Sequence, residues 1–331
     1  MSKTLLATLS LFLAIAAPAR AQTTLKIATL APEGSSWMKL FHAWQQKVEA
    51  RTEGRVKVKF YSGGMMGDER DVLRKIRLGQ ISGAAITGIG LSSIAPEIRA
   101  LEISRTYEEL DGLRAALGPD IKKAFEAKGY ILGSWGDVGP VHLFCNKPVK
   151  TLDDLRTLKL WLWSDDPVSK QLFTALKLNG IPLGVPEVLP GLSTGQIDSF
   201  LGSPLSTLAL QWGTHVKYMG SLTMSQATGA TVISKAAWDK LTPADQKIMT
   251  EEADAMQDSV KVQVRADNTR ALDAMKSKGM QEFELSPELI KQFEKAAEDV
   301  AHANAGQVSK EFQAKVQKLV DDYRAKIASK K

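Results

Sequence analysis

The chain has 331 residues, 44% of them hydrophobic and 24% charged, with a formal net charge of +6. That is ordinary globular composition at a length sufficient for two cored domains, and it excludes a disordered or low-complexity polypeptide. Basic residues alternate with acids (Lys122/Lys123/Glu126, Lys310/Glu311/Lys315), so the charge reads as solvated helix faces; no dense Lys/Arg tract points to nucleic acid.

Residues 1–21 read as a signal peptide. Lys3 gives a basic start, Leu5–Ala17 an apolar run, and Ala19-Arg20-Ala21 a small-x-small cleavage motif, which sets the mature start at Gln22 and the destination as the periplasm. The apolar run is too short for a comfortable membrane span, and no later segment reaches about 18 uncharged apolar residues. Cys145 is the only cysteine, so an intramolecular disulfide is excluded; its apolar surroundings predict a buried small hydrophobe.

Leu25–Leu30 alternates and stops at Pro32, as a first strand does. Ser35 or Ser36 can cap a helix over Trp37–Ala50, in which Leu40, Phe41, Trp44 and Val48 recur at helical spacing. Val56-x-Val58-x-Phe60 is the next strand. The stretch Asp71–Ser82 (DVLRKIRLGQIS) then returns 116 positions later as Glu187–Asp198 (EVLPGLSTGQID), each copy a helix ending at glycine before a short apolar strand. A repeat occurring only twice excludes a solenoid and predicts two lobes on one α/β plan, with a small ligand between them.

A helix over Leu113–Lys128 and a strand at Tyr130–Ser134 precede Gly136, Gly139 and Pro140, where the chain is expected to break and cross to the second lobe. Val141–Cys145 and Leu158–Trp163 are strand-like. Asp166-Pro167 forms an N-cap/N1 pair, and Leu205–His215 reads as a helix. Thr228–Ser234 should return to the first lobe. The Ala-, Met-, Gln-, Lys- and Glu-rich run Thr242–Gly279 predicts one helix of about 38 residues and roughly 55 Å, long enough to run along both lobes. A strand at Glu282–Leu285 and two helices finish the chain.

Chemical motifs fail on context. GLSTG (Gly191–Gly195) matches the serine-nucleophile pattern, but the repeat places Ser193 in a helix rather than a strand-to-helix elbow. SGGMMGDE (Ser62–Glu69) lacks the lysine of a phosphate loop, and Asp68 and Glu69 would repel phosphate, so its glycines serve a turn or a close approach of ligand or lobes. The four histidines are scattered, which predicts neither a metal site nor catalysis, and His142 reads as a structural hydrogen-bonded residue. No cofactor motif is present.

The order of elements resembles the solute-binding receptors of tripartite ATP-independent periplasmic (TRAP) transporters, the DctP-type family. The residues carrying the likeness include Leu25–Trp37, Val48–Asp71, Ile76–Ala85, Asn146–Leu160, Gly191–Asp198 and Ala236–Met249. The resemblance implies an α/β, two-lobed periplasmic binding protein fold with a long helix spanning both lobes. It also implies a non-enzymatic receptor that closes on one solute and delivers it to TRAP-type membrane permease subunits, as a monomer or a homodimer. Expected boundaries are 22–138 plus about 226–260 for lobe I, and 139–225 plus about 261–325 for lobe II. A ligand-presenting sensor has the same sequence signature, whereas a periplasmic enzyme lacks candidate residues.

Acid-binding members of the family usually carry one arginine in a GxR strand and another in a KxR strand. Here those places read Gly139-Pro140-Val141 and Lys159-Leu160-Trp161. A buried carboxylate stranded without its cation costs about 3–5 kcal/mol, so the expected ligand is apolar, aromatic or an amine; a monocarboxylate held without the arginine pair is the alternative. Trp161 and Trp163 point to one side of their strand, either as plain core or as rings stacked on ligand. Candidate ligand-binding residues are Trp37, Ser93, Trp135, Val141, Trp161, Trp163 and Ser203. Asp165 is a possible counter-charge.

Overall fold

The computed structural model describes residues 22–164 and 166–328; the expected signal peptide and Asp165 lie outside the described residues. The first elements are β1 (Thr23–Thr29), α1 (Ser36–Arg51), β2 (Val56–Tyr61), α2 (Glu69–Arg77), β3 (Gly83–Thr87), α3 (Gly88–Ser92), α4 (Tyr107–Ala127) and β4 (Tyr130–Cys145). A 3-10 segment, Pro96–Ile103, lies between α3 and α4. Next come α5 (Leu152–Arg156), β5 (Leu160–Trp163), α6 (Pro167–Leu176), β6 (Gly180–Leu183), α7 (Val185–Thr194), β7 (Ser199–Gly202), α8 (Pro204–Ala209) and β8 (Tyr218–Gly220). The chain continues through β9 (Ser225–Ser234), α9 (Lys235–Trp238), α10 (Pro243–Ser277), β10 (Gln281–Phe283), α11 (Pro287–Asn304) and α12 (Lys310–Ala328).

The main sheet path runs β2-β1-β3-β9-β4-β7-β5-β6, with β8 and β10 beside it. Lobe I is built on β2, β1, β3 and β9 with the first part of β4; lobe II is built on the last part of β4 with β7, β5 and β6. The expected break at Gly136–Pro140 is not there. β4 is one strand, paired with β9 through Val141 and with β7 from His142 onward. Its register shifts between Leu132 and Trp135 and between Asp137 and Gly139, so irregular pairing bends the strand without ending it. Gly139 makes that bend: its φ is +128°, and a Cβ there would stand 2.4 Å from the Asn268 amide.

Hydrophobic periodicity places the helices. Ser35 caps α1 by accepting from Met38 N, and Met38, Phe41, Trp44 and Val48 bury one face against β1 and β2. α4 opens on a capping box of Thr106 and Glu109 and buries Leu110, Leu113, Leu117, Ile121 and Phe125 on the opposite face of the sheet. The repeat also holds in space. Gly79 and Gly195 end α2 and α7 at φ +70° and +71°, and each helix leads into a strand, β3 or β7.

The long helix is present as expected. α10 has 35 residues, about 52 Å, and starts with Pro243 behind a Thr242 cap. Met249, Met256 and Val260 pack with α1 and β1 in lobe I, whereas Met275 packs with Trp161 and Trp212 in lobe II. The helix expected at Leu205–His215 is split: α8 stops at Ala209, Gln211 turns left-handed (φ +63°), and Trp212–His215 is a 3-10 turn. Cys145 is fully buried, donates to Lys147 O at 3.0 Å, and burial pushes its thiol up to about 12. It is an inert core thiol.

Candidate functional site

Between the lobes lies a cavity of about 330 Å³, the size of a small-molecule site. Its walls are largely apolar. Trp37 and Phe41 come from lobe I, Trp161, Trp163 and Trp212 from lobe II, and Trp135 and Val141 from the shared strand β4. Trp161 stacks on Trp163 at 5.7 Å and 29°, and meets Trp212 edge-on at 5.2 Å and 73°. Trp161 Nε1 donates to Leu183 O at 3.0 Å, which pins its ring. Leu160 and Leu162 pack into a separate core on the other side of β5, as alternation requires.

Six of the seven sequence candidates line this cavity: Trp37, Trp135, Val141, Trp161, Trp163 and Ser203. Ser203 also caps α8, accepting from Ser206 N. Ser93 does not belong with them. The chain after β3 winds into α3 and leaves Ser93 exposed at its C-cap, away from the cavity. His142 sits outside the lining as well; it hydrogen-bonds Gly220 O at 3.1 Å, and burial lowers its pKa. Ser193 lies in the last turn of α7 with its hydroxyl donated to Leu189 O; His215 Nε2 is 3.4 Å away, but the strand-to-helix elbow is missing.

Sequence reasoning missed the polar pole of the cavity. Arg99 and Glu102 stand three residues apart on the 3-10 segment, whose Ile98 and Leu101 are buried. That spacing, charged residues inside an apolar run, was the available signal. Arg99 Nη1 lies 3.0 Å from Glu102 Oε2, an ion pair without a well-directed hydrogen bond. Arg99 Nη2 reaches across the cleft to Asp166 Oδ2 at 3.4 Å. Asp166 is meanwhile fixed as the N-cap of α6, accepting from Val168 N, Ser169 N and Ser169 Oγ. Burial, reinforced by Asp166, pushes the Glu102 carboxyl up against the opposing pull of Arg99. Among the described residues, Arg99 is the only basic side chain lining the cavity, against four acids: Glu69, Glu102, Asp137 and Asp166.

Glu69 is 1% exposed and accepts from Thr87 N, Thr87 Oγ1 and Gly90 N at 2.7–2.9 Å, which holds the loop at the end of β3. Burial outweighs those three donors and raises its pKa to about 8. A raised carboxyl binds its proton more tightly in the folded state, so its contribution falls as pH climbs from about 4.5 to 8. Glu69→Gln should remove up to about 1.4 kcal/mol per pH unit of that decline. The check is the difference between wild-type and Glu69→Gln stability curves over this window, since the opposite-signed titration of His142 is common to both proteins. Parallel curves would show that Glu69 is not protonated in the fold.

At the back wall of the cavity, Asp137 forms a buried charge hub where β4 passes between lobes. It is 1% exposed; Oδ1 takes Arg114 Nη2 at 2.9 Å and Oδ2 takes Arg265 Nε at 2.7 Å. Arg265 also grips Asp111 with both Nη atoms and lies over the Tyr107 ring. The Asp137 carbonyl accepts Trp37 Nε1 at 3.0 Å, linking the hub to the cavity wall. No group of three or more His, Cys, Asp or Glu side chains among the described residues is arranged to hold a metal ion.

The family profile described as bacterial extracellular solute-binding protein, family 7 (DctP) matches residues 27–307. The 2,3-diketo-L-gulonate-binding periplasmic protein of Escherichia coli is 26% identical over 247 residues, covering 71% of this chain and 73% of its own. The sialic acid-binding periplasmic protein of Vibrio cholerae is 25% identical over 281 residues, covering 82% and 85%. A Bordetella pertussis extracytoplasmic solute receptor binding pyroglutamic acid superposes with a TM-score of 0.82 at 19% identity, over 91% of this chain and 99% of that one. A TRAP periplasmic solute-binding protein of Pseudomonas putida with bound D-glucuronate gives 0.79 at 21% identity, over 88% and 96%.

Proposed function

The chain belongs to the bacterial extracellular solute-binding protein family 7, the DctP-type TRAP receptors, and from that membership we propose which solute it captures. The solute is a small molecule with an apolar or aromatic body, or an amine, enclosed in the periplasm between lobe I (22–138 plus about 226–260) and lobe II (139–225 plus about 261–325). The closed receptor delivers it to TRAP-type membrane permease subunits. One observation supports the ligand class: Val141 and Trp161, where the resemblance places the two family arginines, both line a cavity whose one guanidinium among the described residues is already shared by Glu102 and Asp166. A dianion entering there would find the guanidinium already engaged and apolar walls around it. An indole-walled cavity accepts flat rings and organic cations.

A monocarboxylate is the second reading, favoured by Arg99 Nη1, which lacks a directed hydrogen bond. The ligands named for the solved relatives, pyroglutamate and D-glucuronate, are acids of that kind.

Thermal-shift titration of the purified protein against succinate, pyroglutamate, D-glucuronate, phenylacetate and phenethylamine separates the readings. Phenethylamine should raise the melting temperature and succinate should leave it unchanged. Tight succinate binding would overturn the proposal; binding confined to pyroglutamate or glucuronate would establish the second reading.

A further inference from the structure

The two lobes are fastened at the cavity wall by a residue that does not itself line the cavity. Asp68 caps α2 through Oδ1, which accepts from Glu69 N at 2.8 Å. Its Oδ2 reaches into the other lobe. It accepts Trp163 Nε1–H and the backbone N–H of Val185, each at 2.9 Å. Trp163 is the wall residue stacked on Trp161, and Val185 begins α7, where a backbone N–H has no partner within its own helix. The approach is close on both sides. A Cβ on Gly184 would stand 2.9 Å from Asp68 Oδ2, and one on Gly64 would stand 3.3 Å from Pro186.

We infer that Asp68 is a positioning residue for solute capture, a carboxylate strap that crosses the cleft, fixes the Trp163 ring as a cavity wall and favours the closed form whatever the solute. This rests on reading the cleft as the solute site. Both bonds use a charged acceptor, and both must break for the lobes to part, so the strap weights the open–closed equilibrium directly. Because Asp68 does not line the cavity, it acts on how firmly a solute is held and leaves the choice of solute to the walls.

Inter-lobe distances in the ligand-free protein test this. Cys145 is buried, so nitroxide labels can be directed to Lys47→Cys on α1 and Lys170→Cys on α6, both exposed positions. Pulsed electron–electron double resonance should show a short-distance, closed population in the parent. Asp68→Ser keeps an N-capping hydroxyl but loses the reach, and should reduce the closed-to-open ratio about tenfold. Trp163→Phe keeps a ring without the N–H donor and should give part of that shift, adding little on top of Asp68→Ser. A parent with no closed population, or an Asp68→Ser protein with unchanged distances and an unchanged melting temperature, overturns the strap. Such a result alongside phenethylamine binding would leave the receptor reading intact; failure of every compound in the panel would count against that reading while the distances still decide the strap.

Discussion

Asp137→Ala should destabilise the protein by about 3–5 kcal/mol. The side chain is almost wholly buried, and its two oxygens neutralise two arginines on different elements, Arg114 on α4 and Arg265 on α10. Arg265 keeps Asp111 as a partner, whereas Arg114 keeps no carboxylate among the described residues, but the neutral Thr228 hydroxyl, the Gly136 carbonyl and the face of Trp135. Removing the carboxylate therefore strands a guanidinium that is itself mostly buried, and desolvated charge without a partner is among the costliest defects in a fold. Urea unfolding at neutral pH gives the number. An exposed pair is the internal comparison: Asp71→Ala breaks the contact with Arg74, both partners being more than half exposed, and should cost less than about 1 kcal/mol. Equal losses for the two variants would mean that the hub is solvated in solution.

Trp161→Ala should cost about 3–5 kcal/mol in stability and, separately, about tenfold or more in affinity for an aromatic probe such as phenethylamine. The ring is 7% exposed and holds Trp163 and Trp212 in their stacked and edge-on positions, so its loss opens a hole in the lobe II core as well as in the cavity wall. Trp161→Phe discriminates the two effects. It keeps an aromatic face and leaves Leu183 O satisfied by Ser164 N at 3.2 Å, so most of the stability should return. If affinity survives Trp161→Ala once the lower stability is allowed for, the indole is core alone. Calorimetric titration read beside thermal melts separates these outcomes.

Local signals were legible in the sequence; features made by distant chain segments were not. The periodic face of α1, the helix-favouring composition of α10 and the Asp166-Pro167 start of α6 follow from local spacing, propensity and capping chemistry. So does the shared face of Trp161 and Trp163, because alternation along a strand is fixed by its pleat. Gly136, Gly139 and Pro140 looked like a break because glycine and proline usually punctuate; only the partner strands β9 and β7 make that stretch a bent continuation. The Asp137 hub joins residues from α4, β4 and α10, and the Arg99–Asp166 contact spans 67 positions. Charged residues inside the apolar 3-10 segment hint at Arg99, but no local pattern names the partners of either. Ser93 lies apart from the cavity for the converse reason: a position soon after a strand end points to the cleft, but α3 intervenes and leaves Ser93 exposed at its C-cap.

The continuity of β4 has a consequence for how this architecture can be taken apart. A conventional pair of domains joined by linkers can be cut at the linkers, and each half keeps its own framework. Here β4 belongs to both sheets and α10 to both cores, so no cut separates the halves without severing a strand or a helix. Grafting a cleft from one such protein onto another therefore means matching two shared beams at once, in length and in rotational phase. Substitutions on the cavity face of a beam leave that register alone. Changing the solute while keeping the fold then means altering the inner walls and leaving the two beams as they are.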